Sequence, residues 1–77
     1  MKDFVEHQGR YRRQVWETNK AHALGFCRWC VQYLTQDLGW VTVSSGNYPV
    51  TVDKALADSE SFLQAAIENN FGEIYEK

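Results

Sequence analysis

The sequence predicts an α+β fold, a small single domain in the order helix, hairpin, helix (α-β-β-α), and three segments carry that expectation. A stretch of about residues 10–38 holds no Pro and a single Gly, with apolar residues recurring at three and four. A valine-rich segment of about 40–52 alternates at period two around Gly46-Asn47. A closing segment of about 54–71 returns to helical spacing.

The first segment reads as one long helix. On a helical wheel centred on Cys27, the residues Trp16, Ala23, Cys30, Val31, Leu34 and Leu38 gather on its side and form a core stripe. Gln14, Glu17, Thr18, Gly25, Arg28, Gln32, Thr35 and Gln36 fall opposite, as a solvated face. Tyr11, Val15, His22, Phe26, Trp29 and Tyr33 form an aromatic flank to one side, wider than a helix packed on a single side needs. The flank is either wrapped by the rest of the chain or left for a partner. Trp and Tyr dominate binding hot spots, so Tyr11, Val15, Phe26, Trp29 and Tyr33 are the candidate protein-binding residues, with Arg12 and Arg13 as steering charges. Gly25 leaves open a break in this helix.

The second segment reads as a β-hairpin with its turn at residues 46–47. That register pairs Ser45 with Tyr48, Val43 with Val50 and Val41 with Val52, so the four valines share one face. Trp40, Thr42, Thr51 and the Ser44/Pro49 pair take the other. A lone ribbon is marginal in water, so the valine face calls for a helix to pack on. The closing helix supplies it, with Asp53 as N-cap, Leu56, Phe62, Leu63, Ala66, Ile67, Phe71 and Ile74 in phase, and Gly72 as a C′ residue.

At 77 residues the chain has one core at most, and a domain of this size buries only about 60% of its unfolded surface. Three Trp, four Tyr and four Phe compensate in part. The net charge of −2 argues against general nucleic-acid affinity, yet it is polarised, +2 over residues 1–39 and −4 over 40–77. No run of 18 apolar residues occurs and Met1-Lys2-Asp3-Phe4 does not open a signal peptide, so the expectation is a soluble, cytoplasmic protein with no membrane contact.

Cys27-Arg28-Trp29-Cys30 has the spacing of redox and metal sites. A redox pair needs its first thiol at a helix N-terminus, whereas about four turns of helical pattern precede Cys27. Structural zinc needs four ligands, and His22 points away from the pair on the wheel, so neither a metal nor a cofactor is expected and the thiols read as packing. Arg10-Tyr11-Arg12-Arg13, with Trp16, Lys20 and Arg28 further on, mixes cations with aromatics, the ingredients of a nucleic-acid contact. No Gly-x-Ser-x-Gly, His-Glu-x-x-His or phosphate-binding Gly loop is present, and Asp58 and Glu60 point to different sides of a helix.

The functional expectation is therefore a non-catalytic protein-interaction or regulatory module acting through an aromatic helix face, as a homodimer or on a larger protein. Such a module would suit a phage or mobile-element accessory protein. The alternatives are a nucleic-acid-binding accessory protein using Arg10 to Arg13, and a thiol redox protein using Cys27 and Cys30.

Overall fold

A computed structural model describes residues 3–18 and 26–76. Among them the order is β1 (Phe4–Gln8), β2 (Tyr11–Glu17), β3 (Phe26–Leu34), β4 (Trp40–Ser45), β5 (Val50–Thr51), α1 (Val52–Asn69) and a short 3₁₀ helix, Phe71–Tyr75. The strands form one antiparallel sheet in the order β1-β2-β3-β4, and β5 pairs with β3 beyond the end of β4. Helix α1 lies across one face of this sheet. The predicted α-β-β-α layout is overturned: the sheet has five strands, and the chain has no long N-terminal helix among the described residues.

The segment expected as a helix over residues 10–38 is instead β2 and β3. In β2, Tyr11, Arg13 and Val15 are buried and alternate with half-buried Arg12, Gln14 and Trp16. The buried arginine conceals the period of two. In β3 the buried set Cys27, Trp29, Val31 and Tyr33 also alternates, but Cys30 is buried too, which lets Cys27, Cys30, Val31 and Leu34 imitate a helical stripe. Aromatic and β-branched side chains sit well on a pleated surface, and they decide the competition. The Gly25 question and Ala23 and His22 lie outside the described residues.

The β1–β2 turn is Gly9-Arg10, closed by the Gln8–Tyr11 pair. Gly9 has φ +60° and Arg10 does not enter the positive-φ region, as in a type II′ turn whose first central residue is Gly. Between β3 and β4 the Thr35 hydroxyl ties the loop, donating to Gly39 O at 2.8 Å and accepting from Leu38 N–H at 2.8 Å.

The 40–52 hairpin is also corrected. Trp40–Ser45 is a strand as expected, but its partner is β3, with a bulge at Val43 opposite the Val31/Gln32 step. Residues 46–49 loop out, and Val50 then rejoins β3 opposite Cys27. Gly46 serves close approach rather than a hairpin turn. Its N–H donates to Trp29 O at 3.1 Å, and a Cβ there would lie 2.7 Å from the indole Nε1 of Trp29. Val41, Val43, Val50 and Val52 still pack against the core, but Val52 does so as the first residue of α1.

The closing helix begins two residues earlier than expected. Thr51, not Asp53, is the N-cap, its hydroxyl accepting from Lys54 N–H at 3.3 Å, while Asp53 sits in the first turn beside the positive end of the helix dipole. Asn70, not Gly72, ends it, at φ 48° and ψ 62° with its N–H directed to Ala66 and Ile67 carbonyls. Ala55, Ser59, Leu63 and Ala66 are its buried line, and three of these are small, which lets α1 approach the sheet closely. No helix among the described residues is long and apolar enough to cross a membrane.

Gly72 has a different task. It lies buried against the ring of Tyr33, and its N–H donates to the Tyr11 hydroxyl at 2.8 Å. A methyl at Gly72 would overlap the Tyr33 ring carbons. Gly72→Ala is therefore expected to cost about 1–3 kcal/mol through overpacking, lowering the thermal midpoint by roughly 5–15 °C. Calorimetry of the purified variant checks this, and an unchanged midpoint would contradict the packing described.

Candidate functional site

Register partners in an antiparallel sheet point to the same side, so the pairings divide every strand into an inner and an outer set. The inner rows run Gln8–Tyr11–Tyr33–Val41, Glu6–Arg13–Val31–Ser44 and Phe4–Val15–Trp29. These lie under α1. The outer rows run His7–Arg12–Gln32–Thr42, Val5–Gln14–Cys30–Ser45 and Trp16–Arg28, with Leu34–Trp40 at one end. No helix of the described residues covers this second face.

The residues predicted for partner contact separate accordingly. Tyr11, Val15, Trp29 and Tyr33 are 7%, 0%, 5% and 2% exposed, because α1 of the same chain packs on them. Tyr11 also donates to Asn70 Oδ1 at 2.7 Å, tying β2 to the end of α1, and Trp29 stacks on Phe62 at 5.1 Å. Phe26 is 40% exposed and sits on the outer side, two residues from Arg28 along β3. The five thus form no single contact face, and there is no helix flank for them to occupy.

The arginines sort in the same way. Arg13 is buried and works as a latch: Nε donates to Glu6 Oε1 at 2.7 Å, and Nη1 donates to Leu56 O at 2.7 Å and Ser59 Oγ at 2.9 Å. Arg10 pairs with Glu76 at 3.0 Å and donates to Leu34 O. Arg12 and Arg28 are on the outer face and have no carboxylate within ion-pair distance among the described residues. The Arg10–Arg13 cluster is therefore split among three locations, with Arg12 alone on the open face.

Arg12 is held flat. Its guanidinium carbon lies 4.0 Å from the centre of the Trp40 ring, and Nε donates to Gln32 Oε1 at 2.7 Å. Gln32 Nε2 in turn donates to Thr42 Oγ1 at 3.3 Å, and His7 meets Trp40 edge-on at 5.6 Å. Arg28 donates to Gly46 O at 3.1 Å and stands opposite Trp16. The outer positions of β1 to β4 carry no Asp or Glu; Asp3, just before β1 and in the outward parity, lines a cavity with Val5, Gln14 and Trp16. Six carboxylates and one lysine occupy residues 52–76, the segment that covers the other face. The molecule is electrostatically two-sided.

Trp40 was not among the sequence-based candidates, and Trp16 and Arg28 entered only as outlying members of the Arg10–Arg13 cluster, with no shared face assigned to them. Parity would have found two of them: once Arg12 is taken as an outward strand residue, Gln14 and Trp16 follow, and the register then brings in Arg28.

The Cys-x-x-Cys motif is divided as well, since residues three apart on a strand point to opposite faces. Cys27 faces α1 opposite Val50, whereas the Cys30 thiol lies on the outer side, donating to Gln14 Oε1 at 3.6 Å. They are not joined in a disulfide. Burial, and then the nearby Glu17 carboxylate, raise the pKa of Cys27; burial raises that of Cys30, with Arg12 pulling weakly the other way. Both thiols are thus poor nucleophiles at neutral pH. The described residues contain no cluster of three His, Cys, Asp or Glu side chains able to hold a metal ion.

Adjacent arginines on opposite faces give a direct contrast. Arg13→Ala strands the Leu56 carbonyl, Ser59 and Glu6 around a buried gap and is expected to cost about 2–4 kcal/mol. Arg12→Ala removes a surface cation–π contact and is expected to cost less than about 1 kcal/mol. Urea unfolding of the two variants measures both, and equal losses would contradict the assignment of faces.

No protein-family model, curated protein or solved structure matches this chain.

Proposed function

We propose that this protein is a non-catalytic binding module whose working surface is the open face of the sheet. The observation that carries the reading is the concentration of Trp16, Trp40, Arg12 and Arg28 on the sheet face that no helix of the described residues covers. Trp and Arg are the residue types most enriched where binding energy concentrates, and a sheet needs no large ring on its solvent side for folding alone. Both arginines remain without a carboxylate among the described residues while their neighbours Arg10 and Arg13 have one. The face is thus prepared for an extended anionic partner. Helix α1 and the buried aromatics serve as its scaffold. Self-association through Tyr11, Val15, Trp29 and Tyr33 would require opening the core, so the candidate contact moves to the opposite face.

The test is a ¹H–¹⁵N NMR titration at low salt with two anionic probes, a twelve-residue oligothymidylate and a polyglutamate peptide. The expected result is that at least one probe shifts the indole N–H signals of Trp16 and Trp40 and leaves that of Trp29 in place. Shifts confined to α1, or no shift with either probe, would overturn the reading.

A further inference from the structure

Resting on that reading, we infer that the occupant of the open face is single-stranded nucleic acid. The face presents cation and ring together, twice. Arg12 lies on Trp40, and Arg28 is the cross-strand neighbour of Trp16. A ligand complementary to this repeats a negative charge and a flat ring along an extended chain. A nucleic-acid strand has that repeat, whereas an acidic peptide supplies carboxylates without rings in step.

The spacing fits. Trp16 stands opposite Arg28 and Trp40 opposite Leu34, six residues apart along β3 and on its two flanks. At about 3.3 Å per residue and about 4.8 Å between strands, their Cα atoms are roughly 22 Å apart, with the Trp40 ring in contact with Arg12 and His7. A short strand of about four nucleotides spans that face, the lower end of single-strand site sizes on β platforms. Between the Trp16 and Trp40 positions lie Gln14, Gln32 and Thr42, whose amide and hydroxyl groups suit the donors and acceptors of base edges. The Arg12 guanidinium is already held over Trp40 and by Gln32, so a planar cation is fixed in place for a base or a phosphate. The carboxylates of residues 52–76 belong to the segment on the other side of the sheet.

Fluorescence anisotropy with labelled dT₁₂ tests this. Binding is expected at low salt, with log K falling against log salt at a slope of about −1.4, from about −0.7 for each of two neutralised phosphates. Arg12→Ala/Arg28→Ala should abolish most of that slope and the affinity with it. Trp16→Leu/Trp40→Leu keeps apolar cover while removing the rings, and is expected to weaken binding about tenfold for each ring. Should that variant fail to fold by circular dichroism, the arginine pair alone decides the outcome. Equal or tighter binding of a twelve-base-pair duplex would overturn the single-strand assignment. Polyglutamate binding without dT₁₂ binding would overturn the nucleic-acid inference and leave the binding-face reading standing, and no binding by either would remove both.

Discussion

One helix can cover only one face of a sheet, and the rest of this structure follows from that constraint. The 18 residues of α1 lie across β2 and β3, the two central strands, and their inner rows become the core. Strand geometry then assigns alternate residues to opposite environments. Arg12 and Arg13 are neighbours in the chain, yet one is stacked on an open face and the other is buried in hydrogen bonds to Glu6, Leu56 and Ser59. The latch is strong in kind because each donor of a buried guanidinium needs an acceptor, and here the helix backbone supplies one. It fixes α1 against β2 in register, while Tyr11 does the same at the helix end through Asn70 and Gly72.

The closing helix was legible because Leu63, Ala66 and their neighbours repeat at helical spacing and no strand pattern competes. The strand Trp40–Ser45 was legible from its alternation, but its partner was not. A two-residue turn signal at Gly46-Asn47 suggested a local hairpin, whereas Gly46 is needed where the backbone passes close to the Trp29 indole. That is a tertiary demand, invisible to local pattern. In β3 nearly every residue from Cys27 to Tyr33 is apolar or buried, so helical and strand periods fit equally well. In β2 a buried arginine occupied an inward position that pattern reading reserves for apolar residues. In the short strand β1, Val5 faces outward and Glu6 inward, against the usual sense of amphipathic alternation. The Gln8-Gly9-Arg10-Tyr11 turn was the local signal that would have corrected the first half.

The candidate site inherited the error in period. Helical phase grouped Tyr11, Phe26, Trp29 and Tyr33 as an outer flank and sent Trp16 inward; strand parity exchanges Trp16 with Trp29 and disperses the rest. The aromatic rings of the chain are divided between the core and the outer face, and which ring goes where depends entirely on the period. The same change of period separates Cys27 from Cys30 and turns a suggestive spacing into two unrelated buried thiols.

The most direct measurement of this division is hydroxyl-radical footprinting of the three tryptophans in the folded protein, read by peptide mass spectrometry. Trp16 and Trp40 on the half-open face should oxidise readily, and Trp29, 5% exposed beneath α1, should stay protected until the protein unfolds. Protection of Trp16 with rapid oxidation of Trp29 would contradict the sheet and its open face together, since that is the pattern a helix over residues 10–38 would give.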